Sequence, residues 1–150
     1  MEIIGEVSTI LHHKGPQVWS ISSNATVYEA IELMAEKNIG ALLVMNSDGN
    51  PIGIVSERDY TRKVILKGRS SKETPVHDIM TRQLVTVSPH ESVSECLRLV
   101  TLKRIRHLPV LDGDKLEGMV SIGDLVKWIM SAQEMTIDQL EKFITGTYPG

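Results

Sequence analysis

The sequence predicts a mixed α/β fold (α+β): two β-α-β-β-α repeats packed face to face about a pseudo-twofold axis, with a flanking helix at each end. Three observations carry this. The 150-residue chain aligns with itself. Shifted by 66 residues, ISSNATVYEAIELMAEKNIGALLVM falls on VSPHESVSECLRLVTLKRIRHLPVL, and shifted by 65, GIVSERDYTRKVI falls on GMVSIGDLVKWIM, with twelve identities in all. In each copy, apolar residues first recur at helical spacing and then form short β-favouring runs around a strong turn. A unit of roughly 45–60 residues buries too little surface to stand alone, so the copies are expected to pack together.

The elements follow in order. EVSTILHHKG reads as a short amphipathic helix closed by Gly15. Trp19–Ile21 opens the first repeat as an extended stretch, and Leu84–Val87 opens the second. Thr26 and Ser92 then stand as N-caps, each with a glutamate three residues on, Glu29 and Glu95. Val27, Ala30, Ile31 and Met34 form the buried face of the first helix; Val93, Cys96, Leu97 and Val100 form that of the second. ALLVM and HLPVL are buried strands, SDGN and DGDK are turns, and PIGIV and LEGMV are the returning strands. Each returning strand runs into a further helix at Ser56 or Ser121. The segments are 1–14 (N-terminal helix), 15–67 (repeat 1), 68–76 (a polar linker with Pro75), 77–131 (repeat 2) and 132–150 (a helical tail). In that tail Ile137, Leu140, Phe143 and Ile144 form an apolar stripe.

Composition narrows the function. Apolar residues are 41% and charged residues 23%, ordinary for a soluble globular chain. Cys96 is the one cysteine, so no disulfide framework or thiolate cage forms within the chain, which suits the reducing cytoplasm. No apolar run is long enough to span a membrane, and the acidic start is unlike a signal peptide. A net charge of −3 and a pI near 5.9 argue against nucleic acid as a partner. Against that background, Arg58, Arg62, Lys63, Lys67, Arg69 and Lys72 cluster, as do Lys103, Arg104, Arg106 and His107. Local positive charge on an acidic protein suits a compact anion such as phosphate.

SERD (56–59) and SIGD (121–124) admit two readings. Ser56 and Ser121 can be N-caps with Asp59 and Asp124 at N3. Alternatively, a carboxylate fixed there accepts two hydrogen bonds and fits the vicinal hydroxyls of a ribose, while the preceding Gly53 and Gly118 allow another group close to the backbone. GRSSKET has the composition of a phosphate loop without spaced glycines, so it reads as solvated linker or as a supporting contact from Arg69, Ser70 or Lys72. His107 reads as a structural histidine or a phosphate ligand. His12 and His13 lack further close ligands and make no metal site. Cys96 falls on the buried stripe as an inert core residue. No serine sits in a nucleophile elbow and no carboxylate cluster is placed for phosphate hydrolysis, so an enzyme is not expected.

The doubled unit, with SERDYTRKV, TPVHDIMT, RIRHLPV and VSIGDLVK, resembles a tandem pair of CBS domains, or Bateman module, over about residues 15–130. It is similar to the stand-alone CBS-pair proteins of bacteria and plant organelles. That resemblance implies a non-catalytic sensor of adenosine-containing ligands (AMP, ADP, ATP, NAD(H) or S-adenosylmethionine), held in two clefts between the repeats. It implies ribose contacts from Asp59, Asp124, Ser56 and Ser121. Phosphate contacts would come from Arg58, Arg106 and His107, and adenine pockets from Ile21, Ser22, Thr86 and Val87. Arg58 is matched by Gly123, and Arg106 and His107 by Gly40 and Ala41, so the two clefts are expected to differ. The resemblance also implies a homodimer reporting to a regulated protein. The alternative is a dimeric interaction scaffold that controls a partner enzyme without a nucleotide.

Overall fold

The computed structural model describes residues 5–15 and 17–132. They fall into two units, one of residues 17–86 and the other of the N-terminal segment up to residue 16 with the chain from Val87 onward. The expected tail stripe of Ile137, Leu140, Phe143 and Ile144 lies outside the described residues.

In the 17–86 unit, β1 (Ser20–Ser22) runs parallel to β2 (Ala41–Met45), and β3 (Pro51–Ser56) lies antiparallel on its other side. The turn between β2 and β3 is built on Asn46, whose Oδ1 accepts the N–H groups of Asp48 and Asn50. Helix α2 (Val27–Lys37) starts where Thr26 Oγ1 accepts the Glu29 N–H at 3.1 Å, and ends on Asn38 in the left-handed region. Its face Val27, Ala30 and Met34 packs with Leu42, Val44, Val55, Val64, Val76, Ile79 and Met80; Ile31, expected among the buried residues, is only partly covered. The linker is exposed from Gly68 to Ser70 and at Lys72 and Glu73, but its end is tied to α2. Thr74 is buried, its carbonyl accepts the Val27 N–H at 2.8 Å, and Ser71 O accepts the Tyr28 N–H at 2.9 Å. Residues 71–74 thus satisfy first-turn donors that no helix can satisfy for itself.

The second unit repeats this plan with one loss. Helix α4 (Val93–Lys103) is capped by Ser92, whose Oγ accepts the Glu95 N–H at 3.0 Å. The Glu95 carboxylate turns to Arg98 instead of back to the cap. Val93, Cys96 and Val100 are buried, while Leu97, expected with them, is only partly covered. The hairpin of β4 (His107–Asp112) and β5 (Lys115–Ser121) pairs Val110 with Gly118 and His107 with Ser121. The strand expected at Leu84–Val87 is reduced to a single parallel bridge between Val87 and Val110. Proline explains the loss. In the first repeat the Leu43 N–H donates to Trp19 O at 3.2 Å, whereas its counterpart Pro109 has no N–H to give.

The N-terminal segment does for this unit what the linker does for the other. Gly5 O accepts the Val93 N–H at 2.9 Å, and Glu6 bridges Ser92 as Pro75 bridges Thr26. Helix α1 (Val7–Lys14) then buries Val7 and Ile10, closes at Gly15, and brings Leu11 against Gly118. Among the described residues no helix is long and apolar enough to cross a membrane.

Candidate functional site

Both Ser-x-x-Asp motifs sit at a strand-to-helix turn, and both form the helix cap that the sequence allowed. At the first, helix α3 (Glu57–Tyr60) continues as a wider π-helical turn, Thr61–Ile65, rather than the regular helix the repeat implied. Ser56 Oγ accepts the Asp59 N–H at 3.2 Å, and Asp59 Oδ2 accepts the Ser56 N–H at 3.0 Å and the Ser56 hydroxyl at 3.1 Å. At the second, residues 122–132 are helical and are here called α5. Ser121 Oγ accepts the Asp124 N–H at 3.1 Å, and Asp124 Oδ2 accepts the Ser121 N–H at 2.8 Å.

What remains on each carboxylate differs. Asp59 Oδ1 is taken by Lys63 Nζ at 3.1 Å and by the Thr81 hydroxyl at 3.4 Å, and Lys63 also donates to Ile79 O at 2.9 Å. Asp124 Oδ2 carries a second partner, Lys14 Nζ at 2.7 Å, which also donates to Met119 O at 2.7 Å. Among the described residues no hydrogen bond to Asp124 Oδ1 is seen, and since no buried side-chain polar atom there is left unsatisfied, that oxygen is not fully buried. The Asp124 side chain is 23% exposed and that of Asp59 12%. Burial pushes the Asp124 pKa up, but the hydrogen bond and charge of Lys14 and the bonds from Ser121 outweigh it and hold the group below the usual carboxylate range.

Arg106 and His107 flank the second turn. His107 pairs across the hairpin with Ser121, and Arg106 O accepts the Ile122 N–H at 2.9 Å. The first turn has the same backbone arrangement, Glu57 N–H to Gly40 O at 3.0 Å and Ala41 opposite Ser56, but no basic side chain at either position. The Arg106 side chain is exposed. Burial lowers the His107 pKa, and Lys14 and then Arg106 push the same way against the opposing charge of Asp124. The second unit therefore gathers Lys14, Arg106, His107, Ser121 and Asp124 at one mouth. The first unit places Ser56, Arg58 and Asp59 together, with Arg58 exposed.

The remaining candidates are scattered more widely. Ile21 packs against the core of its unit, and Ser22 Oγ accepts the Asn24 N–H at 3.2 Å. Thr86 is exposed in an irregular stretch, and Val87 is buried. In the linker Arg69 pairs with Asp78 at 2.8 Å, and Lys72 lies 4.9 Å from the centre of the Tyr28 ring. His12 stands beside His13, and His13 beside Trp128. Among the described residues no three His, Cys, Asp or Glu side chains could hold a metal ion. Cys96 is buried and its thiol is pushed up to about 11, first by burial and then by Glu91 and Glu95.

Sequence reasoning named Lys63 only as one of a basic cluster and missed Lys14. Lys63 stands four residues after Asp59 on the same helical path, a spacing that signals a pair. Nothing local links position 14 to position 124, which only the packing of α1 brings together.

Comparison with known proteins agrees with this architecture. A sequence model of the CBS domain matches residues 7–65 and again 76–131. A mitochondrial CBS domain-containing protein of Arabidopsis thaliana is 39% identical over 95% of this chain and 73% of its own. A CBS-domain protein from Burkholderia ambifaria MC40-6 superposes with a TM-score of 0.82 at 52% identity, covering 86% of this chain and 96% of its own. A hexameric CBS-CP12 protein from bloom-forming cyanobacteria superposes at 0.73 with 34% identity, over 82% of this chain and 70% of its own.

Proposed function

The chain belongs to the CBS-domain family, and from that premise we propose that it is a non-catalytic sensor of an adenosine-containing ligand: AMP, ADP, ATP, NAD(H) or S-adenosylmethionine. The observation that carries this reading is the open Oδ1 of Asp124, an ionised acceptor held rigid by its cap and its lysine. One ribose hydroxyl donates to it, and Ser121 stands beside it. Arg106 and His107 supply positive charge for a phosphate. Asp59 serves a ribose less well, because both of its oxygens already have partners.

A sensor reports by its differential affinity for two arrangements of itself or of a partner. Ile122, Val126 and Met130 recur every four residues along α5 and are 41%, 46% and 56% exposed, an apolar stripe suited to self-association. A homodimer is the assembly proposed, and sedimentation at micromolar concentration is expected to give about twice 16.7 kDa; a monomer would remove it. The same stripe favours the second reading, a dimeric scaffold regulating a partner enzyme without a nucleotide.

Thermal unfolding against AMP, ADP, ATP, NAD, NADH and S-adenosylmethionine separates the two. A ligand at a hundred times its Kd adds about 2.7 kcal/mol, or roughly 5–10 °C at this chain length. A shift of that size with one of them is the expected result. Melting unchanged by all six would leave the scaffold.

A further inference from the structure

We propose that Lys14, outside the repeated sequence, is a ligand-selecting residue of the Asp124 site, and that it makes the site one for a ribonucleoside phosphate rather than for an uncharged nucleoside or the cationic S-adenosylmethionine. The inference rests on the nucleotide reading above and narrows it.

Lys14 is the last residue of α1 and is fixed from both directions. Upstream, α1 is anchored by the Val7 N–H on Glu91 O at 2.9 Å, the Ser8 N–H on Pro89 O at 2.8 Å, and buried Val7 and Ile10. At its tip, the ammonium is held at 2.7 Å by both Asp124 Oδ2 and Met119 O. An ammonium has three N–H donors, so one is left over. The side chain is 35% exposed, so that donor is within reach of solvent or a ligand. A lysine so held has already lost most of its rotamer freedom, which lowers the entropy cost of binding an anion.

The charges around it favour an anion. Lys14 comes from α1, Arg106 from the residue before β4, His107 from the first residue of β4 and Asp124 from α5. With His107 neutral this is two cations against one carboxylate; with His107 protonated it is three. The set thus nets +1 or +2 and attracts a phosphate monoester, which is near −2 at neutral pH, whereas a sulfonium would add to the excess. At the first turn the charges balance: Lys63 is matched to Asp59, Arg58 is offset by Glu57 in the same helical turn, and the positions of Arg106 and His107 are Gly40 and Ala41.

The test is isothermal calorimetry of the full chain with AMP, adenosine and S-adenosylmethionine at two salt concentrations, on the parent, Lys14→Met and Lys14→Arg. The parent is expected to prefer AMP over adenosine by about tenfold or more, with the preference shrinking as salt rises. Lys14→Met removes the cation and uncovers the Asp124 charge, so AMP should weaken about tenfold to a hundredfold while adenosine changes by less than about threefold. Lys14→Arg, keeping the charge, should recover most of the preference. A folded Lys14→Met with the parent's AMP-to-adenosine ratio overturns the assignment. So does a parent that binds AMP and adenosine equally, a result needing no variant and leaving the nucleotide reading intact. Binding of neither compound removes both.

Discussion

Asp124→Ala is expected to weaken adenosine-ligand affinity about tenfold to a hundredfold, the equivalent of losing charge-assisted hydrogen bonds worth roughly 1.5–3 kcal/mol. The open Oδ1 is the acceptor that the ribose would use. The cap is damaged too, since the Ser121 N–H loses its partner at 2.8 Å and Lys14 keeps only Met119 O. Losing a cap costs about 0.5–2 kcal/mol, which leaves the chain folded and the comparison interpretable. Asp124→Asn separates the roles, because the amide keeps an acceptor for the cap and loses the charge. Calorimetric titration of both variants is the check, and parental affinity in both would remove the ribose assignment.

Gly53→Ala is expected to be the more damaging of two superficially equivalent substitutions. Gly53 and Gly118 occupy the same repeat position and both face a close neighbour, but the neighbours differ in kind. A Cβ on Gly53 would lie 2.8 Å from the backbone oxygen of Thr81 and 2.8 Å from Met80 Sδ. That oxygen accepts the Ile54 N–H at 3.0 Å, and the Thr81 hydroxyl reaches Asp59, so the clash propagates toward the first capping box. A Cβ on Gly118 meets the Leu11 methyl at 2.8 Å, the end of a side chain that can rotate away. Overpacking of the first kind costs about 1–3 kcal/mol, or roughly 2–4 °C of melting temperature for each kcal/mol. The smaller unfolded-state entropy of alanine, about 0.4–1 kcal/mol, offsets part of it in both variants. Chemical denaturation of the pair checks this, with Gly118→Ala expected to lie closer to the parent. Equal losses would contradict the account.

The duplication made most of the fold legible, because twelve identities at offsets of 66 and 65 fix element order, caps and strand turns together. The departures arise where one copy carries a residue with a different backbone consequence. Pro109 in place of Leu43 removes the donor that would have extended the opening strand of the second repeat. Asn38 and Arg104, which end their helices in the left-handed region, gave no strong signal, since glycine is the usual marker there. The polarity of the linker matches the exposure of Gly68 to Ser70, Lys72 and Glu73 but does not reveal that Thr74 is buried, with its carbonyl accepting the Val27 N–H at the start of α2.

At the site, the SxxD motif was legible as both cap and carboxylate, and the structure shows that a cap leaves one oxygen free for other use. Whether that oxygen stays open depends on residues far away in sequence. Thr81 helps close it on Asp59, and Lys14 takes the other oxygen of Asp124 and leaves it open. Such contacts depend on tertiary packing, and no spacing rule reaches across 110 residues.

The central claim is that an adenosine ligand binds at the Asp124 mouth, and backbone amide NMR during a titration with AMP locates it directly. The account predicts that the amides of His107 and Ser121 to Asp124 shift together and saturate along one binding curve, with those of Ser56 to Asp59 shifting less. An unchanged spectrum at millimolar AMP, or saturable shifts confined to other surfaces, would contradict it.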